Sequence, residues 1–592
     1  MDKNKFIRLL FLSTFSMLLY HHFLKPKQTF QSVVPSVNEA GMPVESFNGA
    51  PAQVKTGFPF AAALQGEEKY VTVENALFKV TFNTKGGTIQ KVVLKRYKKQ
   101  KEEEVVLLDA QSSCMGLVLP YENVLIETKS LYFTTEALPA YQLKENEQTT
   151  IVFKLMLTAD QYLEQQFELS GNSYQIGYSW KAVGMEAYLT QKNSKPAFCW
   201  HMDMQCLETD YNADAAKSTV NYYLLDQTFD QLKTTDKVEQ KQIDKPLKWV
   251  SLKQRFFSSA IIAQDAFAST TMAMRTPSDS KEITRTVDVS LALSDQDKAN
   301  GAGKYSFFFG PNDYKILQQV TKGFEQNLPL GWIIVKWVNQ WLIIPLFAFL
   351  EKHCSNYGLV IFLLVIMVKL LLAPLSYKSF ISMAKMKIVK PELDKIKEKY
   401  GTNVQKAQMA QVTFYKELGI NPLSGCIPIL LQMPILLAMF NFFPNAIALR
   451  HAPFLWANDL STYDSVIQLP FTIPLYGNHV SLFTLLMTLS TILYAKSSSQ
   501  NSPTEGPMKG LTYVMPFTFM LVLNSFPAGL SFYYFISNIL TFLQQALTKY
   551  FVDEEAIKKK LLARQQKIKQ GETTSFQERV AATIQTSNKK KK

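Results

Sequence analysis

Tyr357 to Leu375, YGLVIFLLVIMVKLLLAPL, is the stretch that decides the fold. It is close to the roughly 20 apolar residues that carry a helix across a bilayer. It holds one charge, Lys369. A lysine at membrane depth costs roughly 2.5–3.5 kcal/mol on insertion scales, which marks a functional site by default. The alternative is that Lys369 snorkels to the headgroups. Against that, six residues separate it from the end of the run.

Outward from this run, apolar stretches continue from Trp332 to Leu547, while residues 25–325 read as polar and globular. Trp332 to Leu350 is apolar enough to pass for a span. Lys336, Asn339 and Gln340, however, share one helical face, three tryptophans (332, 337, 341) suit the interface, and Pro345 would interrupt a spanning helix. The segment 326–353 is therefore expected to be an interfacial amphipathic helix. Loop charge supports that choice. Residues 376–420 carry Lys378, Lys385, Lys387, Lys390, Lys395, Lys397, Lys399, Lys406 and Lys416, whereas 444–479 hold one strong base, Arg450. With spans at 357–375, 426–443, 480–495, 511–523 and 530–547, every basic loop falls on the cytoplasmic side. Making the amphipathic helix a span would invert the pattern.

The chain opens with Lys3, Lys5 and Arg8, then an apolar run to Leu24. Residues 1–27 are expected to form an uncleaved signal anchor with a cytoplasmic N-terminus, cleavage being the alternative. That makes six spans, an anchor plus a five-helix core at 354–550. Residues 28–66 have linker composition. From about Tyr70, short runs alternate apolar and polar residues: Val71 and Val73, then Lys79-Val80-Thr81-Phe82, Ile89 to Leu94 after the Gly86-Gly87 turn, then runs at 150–155, 175–180, 256–262 and 287–293. Residues 67–325 are expected to form a large antiparallel β-sandwich on the outer side. In CWHMDMQC, Cys199 and Cys206 read as a disulfide or as core cysteines; a metal site is the weakest reading, since no second ligand cluster stands out.

Polar stripes run along the later spans. Thr484, Thr488 and Thr491 share one face of the fourth span, Tyr534, Asn538, Thr541 and Gln545 one face of the sixth, and Gln432 lies in the third. Such stripes are facing surfaces, either ordinary helix packing or the wall of a wet groove. The fourth and fifth apolar runs are short, which favours a locally thinned bilayer. The cytoplasmic segment 376–420 reads as a helical hairpin. Met383, Met386 and Met409 offer soft apolar contacts either for varied clients or for the hairpin's own core, and Lys385 adds charge beside them. The tail 551–592 is basic and either solvated or suited to ribosomal RNA and anionic lipid. Nothing resembles a selectivity filter, so ion conduction fits less well than passage of a polar peptide, and no phosphate-binding Gly-x-x-x-x-Gly-Lys loop is visible, so no nucleotide cofactor is expected.

The ordered series Asn356-Tyr357-Gly358, Lys369 with Pro374-Leu375, Ser382-Met383-Ala384-Lys385-Met386, Asn421 to Pro428, Gln432-Met433-Pro434, Phe454-Leu455-Trp456 and Phe526-Pro527-Ala528-Gly529-Leu530 with Tyr533-Tyr534 resembles the YidC membrane-protein insertase family. The outer domain is similar to that family's β-supersandwich. The resemblance implies a bacterial inner-membrane protein that moves nascent membrane proteins sideways into lipid, alone or with the Sec translocon, and assists their folding. It implies no catalysis and no cofactor. Its partners would be nascent membrane proteins, the Sec translocon, the ribosome through the cytoplasmic loop and tail, and membrane lipids. The groove residues it implies are Lys369, Gln432, Tyr533 and Tyr534; the stripes add Thr484, Thr488, Asn538 and Thr541. Many members carry Arg where this chain has Lys369, so the charge is kept but bidentate carboxylate recognition is not. Three other readings stand beside this one: a channel or transporter, which would need solute flux; an anchored carbohydrate enzyme, which would need one span; and a pure assembly chaperone.

Overall fold

The computed structural model describes residues 61–569 apart from short gaps, of which 190–195, 421–426 and 501–506 are the longest. The expected anchor, nearly all of the linker, Cys426 and the tail beyond Lys569 lie outside the described residues.

Period-two alternation builds the outer domain. Val71, Val73, Val80 and Phe82 point inward from paired strands, and Gly86 and Gly87, at φ +85° and +55°, turn the chain into Thr88–Lys98. Three sheets of five, eight and six strands result. The eight-stranded sheet is central to the packing. Phe167 on it meets Phe82 of the five-stranded sheet at 4.9 Å between ring centroids, and Phe307 meets Phe198 of the six-stranded sheet at 5.8 Å. Trp180, Trp200 and Trp249 are fully buried in the same core. The domain is not wholly antiparallel, because Tyr70–Glu74 also pairs in parallel with Ala140–Gln142. Among the described residues its short α-helices include α1 (Tyr211–Lys217), α2 (Asp295–Asn300) and α3 (Tyr314–Val320). Cys199 and Cys206 are separate free thiols, so the disulfide reading fails. Cys199 approaches Ser290 and Cys206 the carbonyl of Glu208.

Helix α4 (Ile333–Glu351) follows. It runs through Pro345 rather than stopping, because a wide π-helical turn at Asn339–Ile343 precedes the proline. Its polar face turns toward the protein. Asn339 is buried and donates to the carbonyls of Leu330 and Ala438, and Gln340 donates to the Tyr314 hydroxyl. Its exposed face is apolar, with Trp332, Ile333, Trp337 and Trp341 uncovered.

The helical core consists of α5 (Tyr357–Tyr400), α6 (Val404–Leu418), α7 (Ile427–Phe442), α8 (Leu482–Gln500), α9 (Pro507–Leu523) and α10 (Ala528–Phe551). Two findings change the expected outline. First, the span and the first arm of the hairpin are one 44-residue helix, with Pro374 and Pro391 inside it. Second, α11 (Glu554–Lys569) in the tail is no solvated strand of charge: Ile557 and Leu561 pack into the hairpin core beside Val389, Leu393 and Tyr415, leaving Lys558, Lys559 and Lys560 exposed. Helices α7, α8 and α9, of 16, 19 and 17 residues, span roughly 24, 28 and 26 Å, against about 30 Å of bilayer hydrocarbon. The fourth and fifth helices are thus longer than their apolar runs.

A buried polar junction fastens the β domain to the loop after α7. Arg450 donates to both carboxylate oxygens of Glu208 at 2.8 and 3.0 Å, and also to the carbonyls of Lys98 and Leu207. Arg255 reaches across to the carbonyls of Pro444 and Ser461. Burial pushes the Glu208 carboxyl up to about 7 against the pull of Arg450. It also pushes the nearby Lys253 ammonium down to about 7; that group donates to the Lys217 carbonyl.

Candidate functional site: a polar groove behind an aromatic seal

Successive turns of α10 define the site. At the end nearest the β domain, Tyr533 and Tyr534 pack edge to face, and Phe443 and Phe440 close around them. The buried Tyr534 hydroxyl has no hydrogen-bond partner among the described residues. One turn on, Ser537 and Asn538 form a polar layer. Gln432 of α7 reaches the Ser537 hydroxyl at 3.4 Å, and the Asn538 amide donates to Ser490 and Thr491 of α8, both at 2.9 Å. A further turn brings Thr541 to Lys369.

Lys369 is only 8% exposed, and its ammonium donates to the Thr541 hydroxyl at 2.8 Å. Thr541 in turn donates to the Ser537 carbonyl, and Gln544 bonds the Lys369 carbonyl. Among the described residues no carboxylate pairs with Lys369. Its partners are neutral dipoles, so the ammonium is held in a buried position, where a charge is costly, without being neutralised. The snorkelling reading fails for this conformation, because the ammonium is tied sideways to α10.

The expected groove residues therefore divide. Lys369, Gln432, Asn538 and Thr541 gather in two adjacent layers, with Tyr533 and Tyr534 as the seal above them. Thr484 and Thr488 do not line this space. Thr484 is fully buried among Ser481, Ser531 and the Leu523 carbonyl, and Thr488 bonds back to the Thr484 carbonyl. Their hydroxyls serve the α8 seams, the packing role that such stripes also fit. Ser537, Ser490 and Gln544 were missed. The signal was a second stripe, Tyr533, Ser537, Thr541, Gln544, sharing Thr541 with the first and displaced by one residue. In the hairpin, Met386 is buried and Met383 packs against the same core, so they hold the hairpin together. Only Met409, 73% exposed, is presented for contact; Lys385 is half-buried.

Comparison with known proteins decides the family. The 60Kd inner membrane protein family matches residues 349–555, and the YidC periplasmic domain family matches 70–348. The chain belongs to the YidC membrane-insertase family. The membrane protein insertase YidC of Amoebophilus asiaticus is 46% identical over 99% of both chains. That of Cytophaga hutchinsonii is 40% identical over 97% of this chain and 95% of its own. A crystal structure of an active YidC insertase with its first transmembrane domain resolved aligns over 82% of this chain and 93% of its own, at 16% identity and a TM-score of 0.32. The assignment rests on the sequence matches. A YidC-family chain with a periplasmic β domain and a helical core is an inner-membrane protein insertase, not an enzyme.

Proposed function

We propose that clients enter the membrane through the groove built on Lys369, Gln432, Asn538 and Thr541. A client's polar outer tail moves in from the cytoplasmic side, its acidic residues drawn to Lys369. The observation that carries this is a buried ammonium whose partners among the described residues are all neutral. An arriving carboxylate gives it what it lacks. A pair of unit charges 4 Å apart at an effective dielectric of 20 is worth about 4 kcal/mol before desolvation. The unpartnered Tyr534 hydroxyl offers a further polar contact at the outer end, where the aromatic layer halts leakage. The client's apolar span then slides along α7 and α10 and leaves sideways into lipid, driven by about 0.8 kcal/mol per buried CH2. Short helices around the groove favour a thinned bilayer and a shorter polar path.

In this reading the chain crosses the membrane six times, with both termini in the cytoplasm. Exposed Met409 and the Lys558 to Lys560 cluster face arriving ribosomes and anionic lipid, and Sec-delivered clients meet the same groove from the side. Protease protection of a small acidic-tailed membrane protein, synthesised beside liposomes holding only this purified chain, tests the proposal. Lys369→Ala should lower insertion of that client at least about tenfold, about 1.4 kcal/mol, and spare a neutral-tailed one. Equal loss for both, or none, refutes the electrostatic step. No protection by the wild-type chain leaves assembly of Sec-delivered clients as the function.

A further inference from the structure

The outer loop between α7 and α8 carries a two-stranded hairpin, Ile467–Ile473 with Gly477–Val480. Its root is rigid. Asn524, buried at the end of α9, donates to the carbonyls of Tyr476 and His479 at 2.8 Å each and accepts from the Ser481 amide. His479 bonds the Asn524 carbonyl and stacks on Tyr463 at 3.7 Å. Asp464 caps α8 by accepting from the amides of Leu482 and Phe483. The arm beyond this root is uncovered: Val466, Ile467 (57% exposed), Phe471 (60%) and Ile473. Leu455 and Trp456 are exposed in the same loop. Between Ser465 and Val480 there is no Asp, Glu, Lys or Arg.

Edge strands that live in water are blunted by charge, because bare apolar edges aggregate. This one carries no charge and leaves Ile467, Phe471 and Ile473 exposed, and an uncovered apolar patch marks an interaction surface. A strand from another protein is a poor fit, because Pro470 removes a backbone donor from the middle of the longer strand and Pro474 follows directly at its end. Lipid fits better. The root sits at the ends of α8 and α9 nearest the β domain, where Ser461 meets Arg255. From there the exposed leucines 485, 489 and 493 continue down α8 at one-turn intervals. Trp456 bridges the two surfaces, its ring 4.3 Å from that of Phe483 on α8. Unpaired carbonyls on the open edge bar the arm from the hydrocarbon interior, so the headgroup–acyl boundary is where it can rest.

We propose that the 465–480 hairpin is a membrane-surface foot, which buries Ile467, Phe471 and Ile473 in the outer leaflet beside α8 and α9. The test places a photoactivatable benzoylphenylalanine at 471 in the full chain, reconstituted in phosphatidylethanolamine–phosphatidylglycerol vesicles. A second variant carries it at 467 and a control at Asp265, exposed on the β domain. Mass spectrometry reads the adduct. One phospholipid mass added at 471 and at 467, with none at 265, is the expected result. A protein adduct, to a second copy or to a client made in the same vesicles, overturns the proposal in favour of a docking surface. No adduct beyond the 265 control also overturns it, since the arm is then in water.

Discussion

Arg450→Met puts a number on the junction between the β domain and the helical core. The side chain is 3% exposed and faces Glu208, 2% exposed, its Nε–H shared between the two carboxylate oxygens. Removing one partner of such a pair leaves a buried, uncompensated charge, which costs about 3–5 kcal/mol. The carbonyls of Lys98 and Leu207 each lose a donor, worth about 1 kcal/mol apiece, but these terms overlap with the first. A total loss of about 3–5 kcal/mol is expected. Glu208→Gln alone should cost about 2–3 kcal/mol, because Arg450 keeps a weaker acceptor. The double variant should return to within about 1–2 kcal/mol of wild type, since a buried pair replaced by neutral groups is often nearly neutral. Urea denaturation of the full chain in detergent, followed by fluorescence of the buried tryptophans of the β domain, measures the cycle. A coupling of at least about 2 kcal/mol is the expected outcome. A strictly additive cycle, or an Arg450→Met loss below about 1 kcal/mol, refutes the view that this pair fastens the two parts.

Three further outcomes follow from the same contacts. Gly358→Ala builds a methyl group 1.9 Å from the Phe454 ring, so the helix or the loop must shift; an overpacking loss of about 1–3 kcal/mol should appear as a lower Tm. Asn524→Ala strips the three bonds at the hairpin root, at about 1 kcal/mol each, and should raise hydrogen exchange across 476–481 while leaving the β domain unchanged. Lys253, pushed by burial down to about 7, binds fewer protons folded than unfolded. Its contribution to stability is therefore fully present above its unfolded value and is lost as pH falls through about 7. The stability difference between wild type and Lys253→Met should change by about 1.4 kcal/mol per pH unit between pH 7 and 9, favouring wild type as pH rises. A flat difference would mean the ammonium stays charged in the folded domain.

The two modules were legible because each has its own period. Alternation with a Gly-Gly turn gave the strands around Val71 and Phe82, and one charge in an apolar run singled out Lys369. What stayed hidden was direction. Neighbouring residues on a helix differ by about 100°, so the stripe through Asn538 and the stripe through Ser537 look equivalent in sequence; yet one faces α8 and the other faces Lys369 and Gln432. Hydroxyls are ambiguous for a related reason, since Thr484 can satisfy itself against a neighbouring helix as readily as against water. Pro374 and the polar residues after it looked like the end of a helix, but a backbone leaving the membrane need not stop there. The outer hairpin passed as a loop because its two prolines masked the strand.

The unbroken α5 has a mechanical consequence. At 1.5 Å per residue, the backbone from Lys369 to Tyr400 is a rod of about 46 Å, softened at Pro374 and Pro391, which lack the amides that would tie them to Leu370 and Lys387. A load on the hairpin arm is delivered as torque one turn from the buried ammonium. The tip of the hairpin is thus the long end of a tiller. A sideways swing of the arm turns the part of the groove that holds the charge, with no messenger between them except the helix itself.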